Sequence, residues 1–528
     1  MIETQILIIG SGISGSSAAI HLARLGYKVL LMTSPFDPME SSTRYAQGGI
    51  VTLGDKDTPQ LLYRDILRAG DGLVNPVAAK ILSEEGPFYV KEFLIKDLGI
   101  PFSLSRKGVF DVTMEAAHSR RRILHVTDAT GLSIEEHLLT AIQKEKNITL
   151  LPGRLAVDLI THSHHSTNPL AVYNDPTILG VYALNRKKQQ METILAAKTI
   201  LATGGIGHIY LHTTNPSVIR GDGLGMAYRA NARLINMEYI QFHPTAFFHR
   251  DSERFLISES VRGEGAKLMN KAGHYFMKDY DPEMEDLAPR DVVARAIHEE
   301  MLRQSNDHVY LDLSFIRKKG IDIAQRFPTI YNRILQYGID ITKDPIPVVP
   351  AAHYFCGGIK VDEWGQTNIK NLYAVGEVSC TGLHGANRLA STSLLEGLVW
   401  GIRSAKHINE TNGSSASHLK IPKWVRSEIP PWQEKGLIEE TDPALIIQDW
   451  NTLRSTMWNY AGIVRSQKRL ERAHSDLEYL MHRVERFYKT TKLTDPLIGL
   501  RNSIQVSIQI IRSALRNPVS RGCHFRKS

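Results

Sequence analysis

Residues 113–122, TMEAAHSRRR, set one carboxylate, Glu115, just ahead of a histidine and three consecutive arginines. Such a stretch is a solvated charge run, a patch for a polyanion, or part of a site that handles both signs of charge. Arg290 stands out on other grounds. In DLAPRDVVARAIHEE, Pro289 is at or near the first helical position, so an arginine there opposes the helix dipole. Helix stability does not ask for that cation, which leaves chemistry. The cluster HSHH (162–165) invites a metal, but it lies in polar, turn-rich sequence with no second ligand cluster, and a solvated loop is expected. Cys356, Cys380 and Cys523 have neither metal spacing nor the even count of a disulfide framework. No metal is expected.

The elements that must position these residues begin at the N-terminus, TQILIIGSGISGSSAAIHLARLGYKVLLMT. Ile6–Ile9 reads as a buried parallel strand, Gly10, Gly12 and Gly15 as a G-x-G-x-x-G turn, Ile13 to Leu25 as a helix with Gly26 beyond it, and Tyr27 to Met32 as the next strand. The glycines allow a tight turn, close approach to a pyrophosphate and close helix–strand packing, and the helix N-terminus offers amide donors. In this setting the turn points to a dinucleotide. The second strand ends in LMTSP with no acid for a ribose hydroxyl, so Thr33 or Ser34 substitutes or another segment does.

Two later segments belong to the same domain: AKTILATGGIGHIY (197–210) and NLYAVGEVSCTGLHGANRLASTSLLEGLVWG (371–401). In the second, a strand runs into a Gly-Glu pair ending at Glu377, then a polar loop, then a helix from about Ser393. The fold expected is α/β: a Rossmann-type FAD-binding domain over 1–236 and 352–420, an inserted α+β capping domain over 237–351, and a C-terminal bundle over 421–528. Ile446, Trp450, Leu453, Met457, Tyr460 and Val464 recur at helical spacing, as do Leu470 to Phe487 and Ile504 to Leu515. They predict three amphipathic helices in an antiparallel bundle packed on the flavin domain.

Composition sets wide bounds. The 528 residues are 42% hydrophobic and 22% charged, no apolar run is long enough to span a bilayer, and the start reads as a strand and not as a signal peptide. The unpaired cysteines suit a reducing cytoplasm. A net charge of +8 raises nucleic acid as a partner, but the basic residues are dispersed. A basic RNA-binding protein with a vestigial flavin fold is the rival from another class; it predicts colourless protein and salt-sensitive nucleic-acid binding.

Eight motifs in order carry a resemblance that covers essentially the whole chain: SSTRYAQGGI (41–50), HSRRRILHVTDATG (118–131), QFHPT (241–245), RGEGA (262–266), APRD (288–291), VPAAHYFCGGIKVD (349–362), GEVSCTGLHGANRLASTSLLE (376–396) and SRGCHF (520–525). The chain resembles the succinate dehydrogenase/fumarate reductase flavoprotein family, and within it the branch that oxidises L-aspartate. The resemblance implies C4 dicarboxylate substrates, FAD, oxygen or fumarate as electron acceptor, and the first step of bacterial NAD synthesis. Its product, iminoaspartate, would pass to quinolinate synthase or hydrolyse to oxaloacetate and ammonia. A soluble fumarate reductase is the alternative.

By the same resemblance Arg290 is the proton donor or acceptor beside the flavin, although an arginine that is nearly always protonated is better suited to an electrostatic clamp or relay. Arg388 has the planar fork that grips a carboxylate, with Ser391 close by; His243, Ser258 and His353 hold the other carboxylate, with Gln241 near them. Glu115 pairs with the ammonium group that separates aspartate from succinate. Arg120, Arg121 and Arg122 are divided between facing the anionic substrate and forming salt bridges. The family's Gly-Gly before His-Ser is here Ala116-Ala117, and a positive φ there would be disfavoured and would move the loop that carries Glu115. Cofactor contacts implied are Gly10, Ser11, Gly12, Ile13, Ser14, Gly15, Ser34, Ser42, Thr43, Arg44, Tyr45, Ala46, Gln47, Gly48, Gly49, Asp222, Glu377, Ser393 and Leu394. Covalent members attach FAD through a histidine at the position Ser42 occupies, so the FAD is expected to be noncovalent.

Overall fold

The computed structural model describes every residue except 106, 116, 128, 251–253, 435, 436, 438, 439 and 528. The apolar run Ile6–Ile9 lies in the strand Ile2–Ile9, at the middle of a seven-stranded sheet. Val29–Thr33 and Gln190–Leu201 flank it, both parallel, and Ile148–Pro152 continues the sheet beyond Val29–Thr33. A strand covered on both faces needs no polar alternation, and Ile6, Leu7 and Ile8 are fully buried. Gln190–Leu201 serves two neighbours along its other edge. Its first half pairs antiparallel with Ile178–Asn185, and its last three residues pair parallel with Leu372–Ala374. The carboxyl ends of these parallel strands therefore open on one side, where open α/β sheets take ligands.

The first turn is built as its glycines require. Gly10 has φ +116, and a methyl group on it would strike the Ala202 carbonyl oxygen; one on Gly15 would strike the carbonyl oxygen of Gly10. The helix that follows, Ile13–Arg24, stops one residue short of the expected Leu25, which caps it, and Gly26 takes the left-handed conformation beyond.

A four-stranded antiparallel sheet forms the inserted cap, in the order Ile240–Phe247, Ile346–Phe355, Val309–Asp312, Lys267–Met269. The strand Ile346–Phe355 runs unbroken through residue 351. Ile346 and Val348 pack in the cap's own apolar cluster, whereas Ala352 and Phe355 pack in the large cluster beneath the seven-stranded sheet. Its partner strand divides in the same way, with Phe247 in the cap cluster and Ile240 and Phe242 in the other. One two-stranded ribbon thus joins both cores. It carries register shifts between Gln241 and Phe242 and between His243 and Ala246, irregularities of the kind that re-aim side chains.

The three expected helices are Pro443–Ala461, Gln467–Thr490 and Asp495–Arg516. Leu453, Met457, Leu470, Leu477, Ile504 and Ile511 are fully buried in the same cluster as Leu7, Ile194 and Leu201, so the bundle closes one face of the sheet. At HSHH the structure differs from the solvated loop expected. His162–His165 form a short helical turn after the strand Arg154–Thr161, with Thr161 bonding the His164 and His165 rings and Glu428 facing His162. No cluster of three or more metal-type ligands exists among the described residues.

Candidate active site

A single large cavity runs from the first glycine turn to the cap ribbon. Its empty volume is about 2140 Å³, open mouth included. One end is lined by Gly10, Ser11, Gly12, Ile13, Ser14, Thr33, Ser34 and residues 41–43 and 45–49; the middle by Thr203, Gly204, Asp222 and Glu377; the far end by Glu115, His243, Ser258, Glu259, Arg290, His353, Arg388, Ser391, Ser393 and Leu394. Residues far apart in sequence thus meet along one elongated space.

The near end and the middle fit an FAD. The helix Ile13–Arg24 has no capping side chain of its own, although the Thr43 hydroxyl accepts from the Ile13 amide at 3.0 Å. Ser42 Oγ, Gln47 Oε1 and Thr203 Oγ1 are buried polar atoms of the lining with no protein partner, the kind of group a bound ligand satisfies. Glu377 accepts from the Phe355 amide at 2.9 Å, and burial lifts its carboxyl to about 7. Asp222 reaches the cavity, but its carboxylate is already engaged by Arg220 at 2.9 Å and Asn502 at 2.7 Å. Three of the implied contacts lie off the lining. Gly15 packs against the turn, Arg44 turns outward to Asp37 and Glu40, and Gln241 sits behind Arg388. An acid does stand near Thr33 and Ser34: Glu40 lines this end and accepts from the Tyr45 hydroxyl at 2.9 Å.

At the far end two guanidinium groups face one space. Arg388 donates to Ser393 Oγ at 2.6 Å and to Gln241 Oε1 at 3.2 Å, and stacks on the Tyr354 ring at 4.3 Å. Burial lowers its pKa and the nearby Arg290 lowers it further, a repulsion that an anionic ligand would relieve. Arg290 donates through Nε to Glu259 at 2.6 Å, while its buried Nη1 has no protein partner. Burial works against its charge, but the Glu259 and Glu115 carboxylates outweigh burial and keep it a cation. His243 and His353 stand 5.4 Å apart between ring centroids, and burial holds both well below the usual imidazole range, so both are neutral. His353 Nδ1 pairs with Thr214 Oγ1 at 2.9 Å. When His243 Nδ1 accepts the Thr245 amide, Nε2 carries the proton; that atom is buried without a protein partner in the cavity wall.

Glu115 lines the same space. It accepts from Ser391 Oγ at 2.6 Å, and burial raises its pKa against the opposing pull of Arg290. A methyl group on Gly48 would come within 2.5 Å of Glu115 Oε1, so that glycine makes room for the carboxylate. The three following arginines do not join it. Arg120 and Arg121 are exposed, Arg121 donates to the Val112 carbonyl, and Arg122 is fully buried against Asp57 and Asp65. None of the three lines the cavity. Ala117 has φ +66, the left-handed conformation that glycine would take without strain; Ala116 lies outside the described residues.

Sequence reasoning passed over Glu259, Asn215, Tyr354 and Arg254, all of which line the cavity. Glu259 was within reach, being next to Ser258 at the start of the helix Glu259–Gly263. Tyr354 was equally within reach, being next to His353 in a quoted motif; nothing local marks Asn215 or Arg254.

Comparison with known proteins bears on the same regions. A family model described as FAD binding domain matches residues 5–394, and one described as fumarate reductase flavoprotein C-term matches 450–528. An L-aspartate oxidase of Acinetobacter baylyi is 42% identical over 99% of this chain and 92% of its own length, and L-aspartate oxidase 1 of Ralstonia nicotianae is 41% identical over 99% and 95%. Among solved structures, a quinol-fumarate reductase with menaquinol molecules superposes with a TM-score of 0.86 at 28% identity, covering 100% of this chain and 92% of that one.

Proposed function

The chain belongs to the L-aspartate oxidases of the succinate dehydrogenase/fumarate reductase flavoprotein family, and from that premise we propose that Glu115, Arg290 and Arg388 are the charges that select and orient its substrate. It is an FAD-dependent oxidoreductase of NAD biosynthesis that converts L-aspartate to iminoaspartate. FAD, when bound, would supply the acceptor for hydride from the α-carbon, with oxygen or fumarate as the final oxidant. Every other task falls to the protein. Arg388 grips one carboxylate, and neutral His243 and His353, with Ser258, donate to the other. Glu115 pairs with the ammonium group, and its raised pKa suits it to hold a proton from that amine. Arg290 stays charged and clamps the substrate over the reacting face, with Glu259 fixing its direction.

The observation that carries this reading is the meeting of the buried Arg388 and the largely buried Arg290 with the half-buried Glu115 carboxylate around one space. A succinate-oxidising site has no use for the carboxylate, so its presence favours aspartate over the fumarate-reductase alternative. The FAD is held noncovalently, since the residue at the attachment position is Ser42, and the three cysteines, all buried and free, support a reducing cytoplasm. Among the described residues no helix is long and apolar enough to cross a membrane. We further infer that iminoaspartate is handed to quinolinate synthase. Purified protein should carry a flavin spectrum that acid releases into solution, and L-aspartate should bleach it without oxygen. No bleaching by aspartate, or faster bleaching by succinate, rejects the substrate assignment; flavin that stays with acid-precipitated protein rejects noncovalent binding.

A further inference from the structure

The loop that presents Glu115 is tied down by a buried ion network that touches neither cofactor space nor substrate space. Arg122 meets Asp57 through two parallel bonds, Nε to Oδ2 at 2.8 Å and Nη2 to Oδ1 at 2.9 Å, and meets Asp65 Oδ2 through Nη1 at 2.9 Å. The same Asp65 oxygen accepts from the Ser119 amide and the Ser119 hydroxyl, both at 2.8 Å. Its other oxygen accepts from Arg68 Nη2 at 3.1 Å, and that nitrogen also donates to the Ala117 carbonyl at 2.8 Å. One carboxylate therefore gathers Arg68, Ser119 and Arg122 around the segment that follows Glu115.

That segment needs holding. The His118 amide closes a turn onto the Glu115 carbonyl at 3.3 Å, with Ala117 in its third position at φ +66. An L-residue with a side chain pays about 1–2 kcal/mol for the left-handed conformation, where glycine pays almost none. An alanine released from its partners would relax toward negative φ and swing the turn, and with it Glu115. The network supplies the restraint from outside, and the His118 ring bonds the Ala390 carbonyl at 3.0 Å, one residue before the serine that holds Glu115.

We propose that Asp65, acting through Arg68 and Ser119, is a positioning residue that keeps Glu115 directed at the amino group of the substrate. The proposal rests on the reading of Glu115 as the ammonium partner. It explains why a side chain as exposed as Arg68 (64% exposed) spends one nitrogen on both Asp65 and the Ala117 carbonyl. It also gives the arginine run a purpose: Arg122 anchors the site from behind.

The test uses the full-length flavoprotein with Arg68→Met and Ser119→Ala, each with and without Ala117→Gly. Arg68→Met should lower kcat/KM for L-aspartate about tenfold, the conversion of the left-handed penalty to a rate. The loss should fall on KM, with fumarate reduction, flavin content and melting temperature held. Ser119→Ala should act in the same direction. Ala117→Gly should restore most of the loss, because glycine takes the left-handed conformation without the penalty that drives alanine out of it. Unchanged aspartate kinetics in both variants, equal losses with aspartate and fumarate, or no recovery with glycine would each overturn the proposal. Glu115→Gln run alongside separates the two layers. A selective aspartate loss there with none in Arg68→Met and Ser119→Ala rejects the positioning role alone, whereas equal losses in Glu115→Gln reject the reading it rests on.

Discussion

Replacing Glu115 with glutamine keeps the side chain's shape and removes its charge. A glutamine oxygen can still accept from Ser391, which now lies at 2.6 Å, so the loop has no reason to move. What disappears is the anion proposed to meet the substrate's ammonium in the cavity that Arg290 and Arg388 also line. Leaving one member of a buried ion pair unmatched costs about 3–5 kcal/mol. At about 1.4 kcal/mol per factor of ten, kcat/KM for L-aspartate should fall by roughly two to three and a half powers of ten. Fumarate has no amine, so its reduction should change by no more than about threefold, the size of a neutral contact change.

The pH profile adds a second signature. Burial raises the Glu115 pKa, and the proposed pairing with ammonium needs the ionised form. Activity toward aspartate should therefore rise as pH climbs through a value above the ordinary glutamate range of about 4.3. With glutamine in place that acid limb should vanish. The assay is rapid-mixing reduction of the flavin by aspartate without oxygen, across pH, beside steady-state fumarate reduction. Equal losses in both reactions, or an acid limb that survives the substitution, would refute the assignment.

Two further outcomes test the rest of the site. Gly10→Ala places a methyl group against the Ala202 carbonyl at φ +116 and should yield protein depleted of flavin and destabilised by roughly 1–3 kcal/mol; full flavin content with an unchanged melting temperature would count against the cradle. Arg388→Lys loses the fork that reaches Ser393 and Gln241 together, so KM should rise about ten- to a hundredfold for aspartate and for fumarate alike, the pattern opposite to Glu115→Gln. A loss confined to aspartate would show that Arg388 does not hold a carboxylate common to both.

Local rules carried the sequence a long way. The strand, glycine turn and helix over Ile2–Arg24 follow from a continuous apolar run, unsubstituted turn positions and helical periodicity, all of which act within a few residues. The three C-terminal helices were legible for the same reason, and their burial on the sheet follows from one apolar face with nowhere else to go. The ordered motifs brought the cofactor and the substrate class with them. The HSHH segment is unburied, as a solvated stretch should be, but takes a short helical turn, and the Glu428 carboxylate that faces His162 lies 266 residues away in sequence.

Tertiary structure decided which charges meet. Glu115 and Ser391 are 276 residues apart, Arg388 and Gln241 147, and Arg122 and Asp65 57, and no local pattern reports such pairings. The three consecutive arginines looked equivalent in sequence, yet burial divides them into one fully paired anchor and two exposed residues. The boundary expected between 351 and 352 falls inside the strand Ile346–Phe355, whose ten residues are enough to feed both cores. Sequence determined what chemistry the residues can perform; the fold determined which of them face the same space, since desolvation and charge act through distance and not through order along the chain.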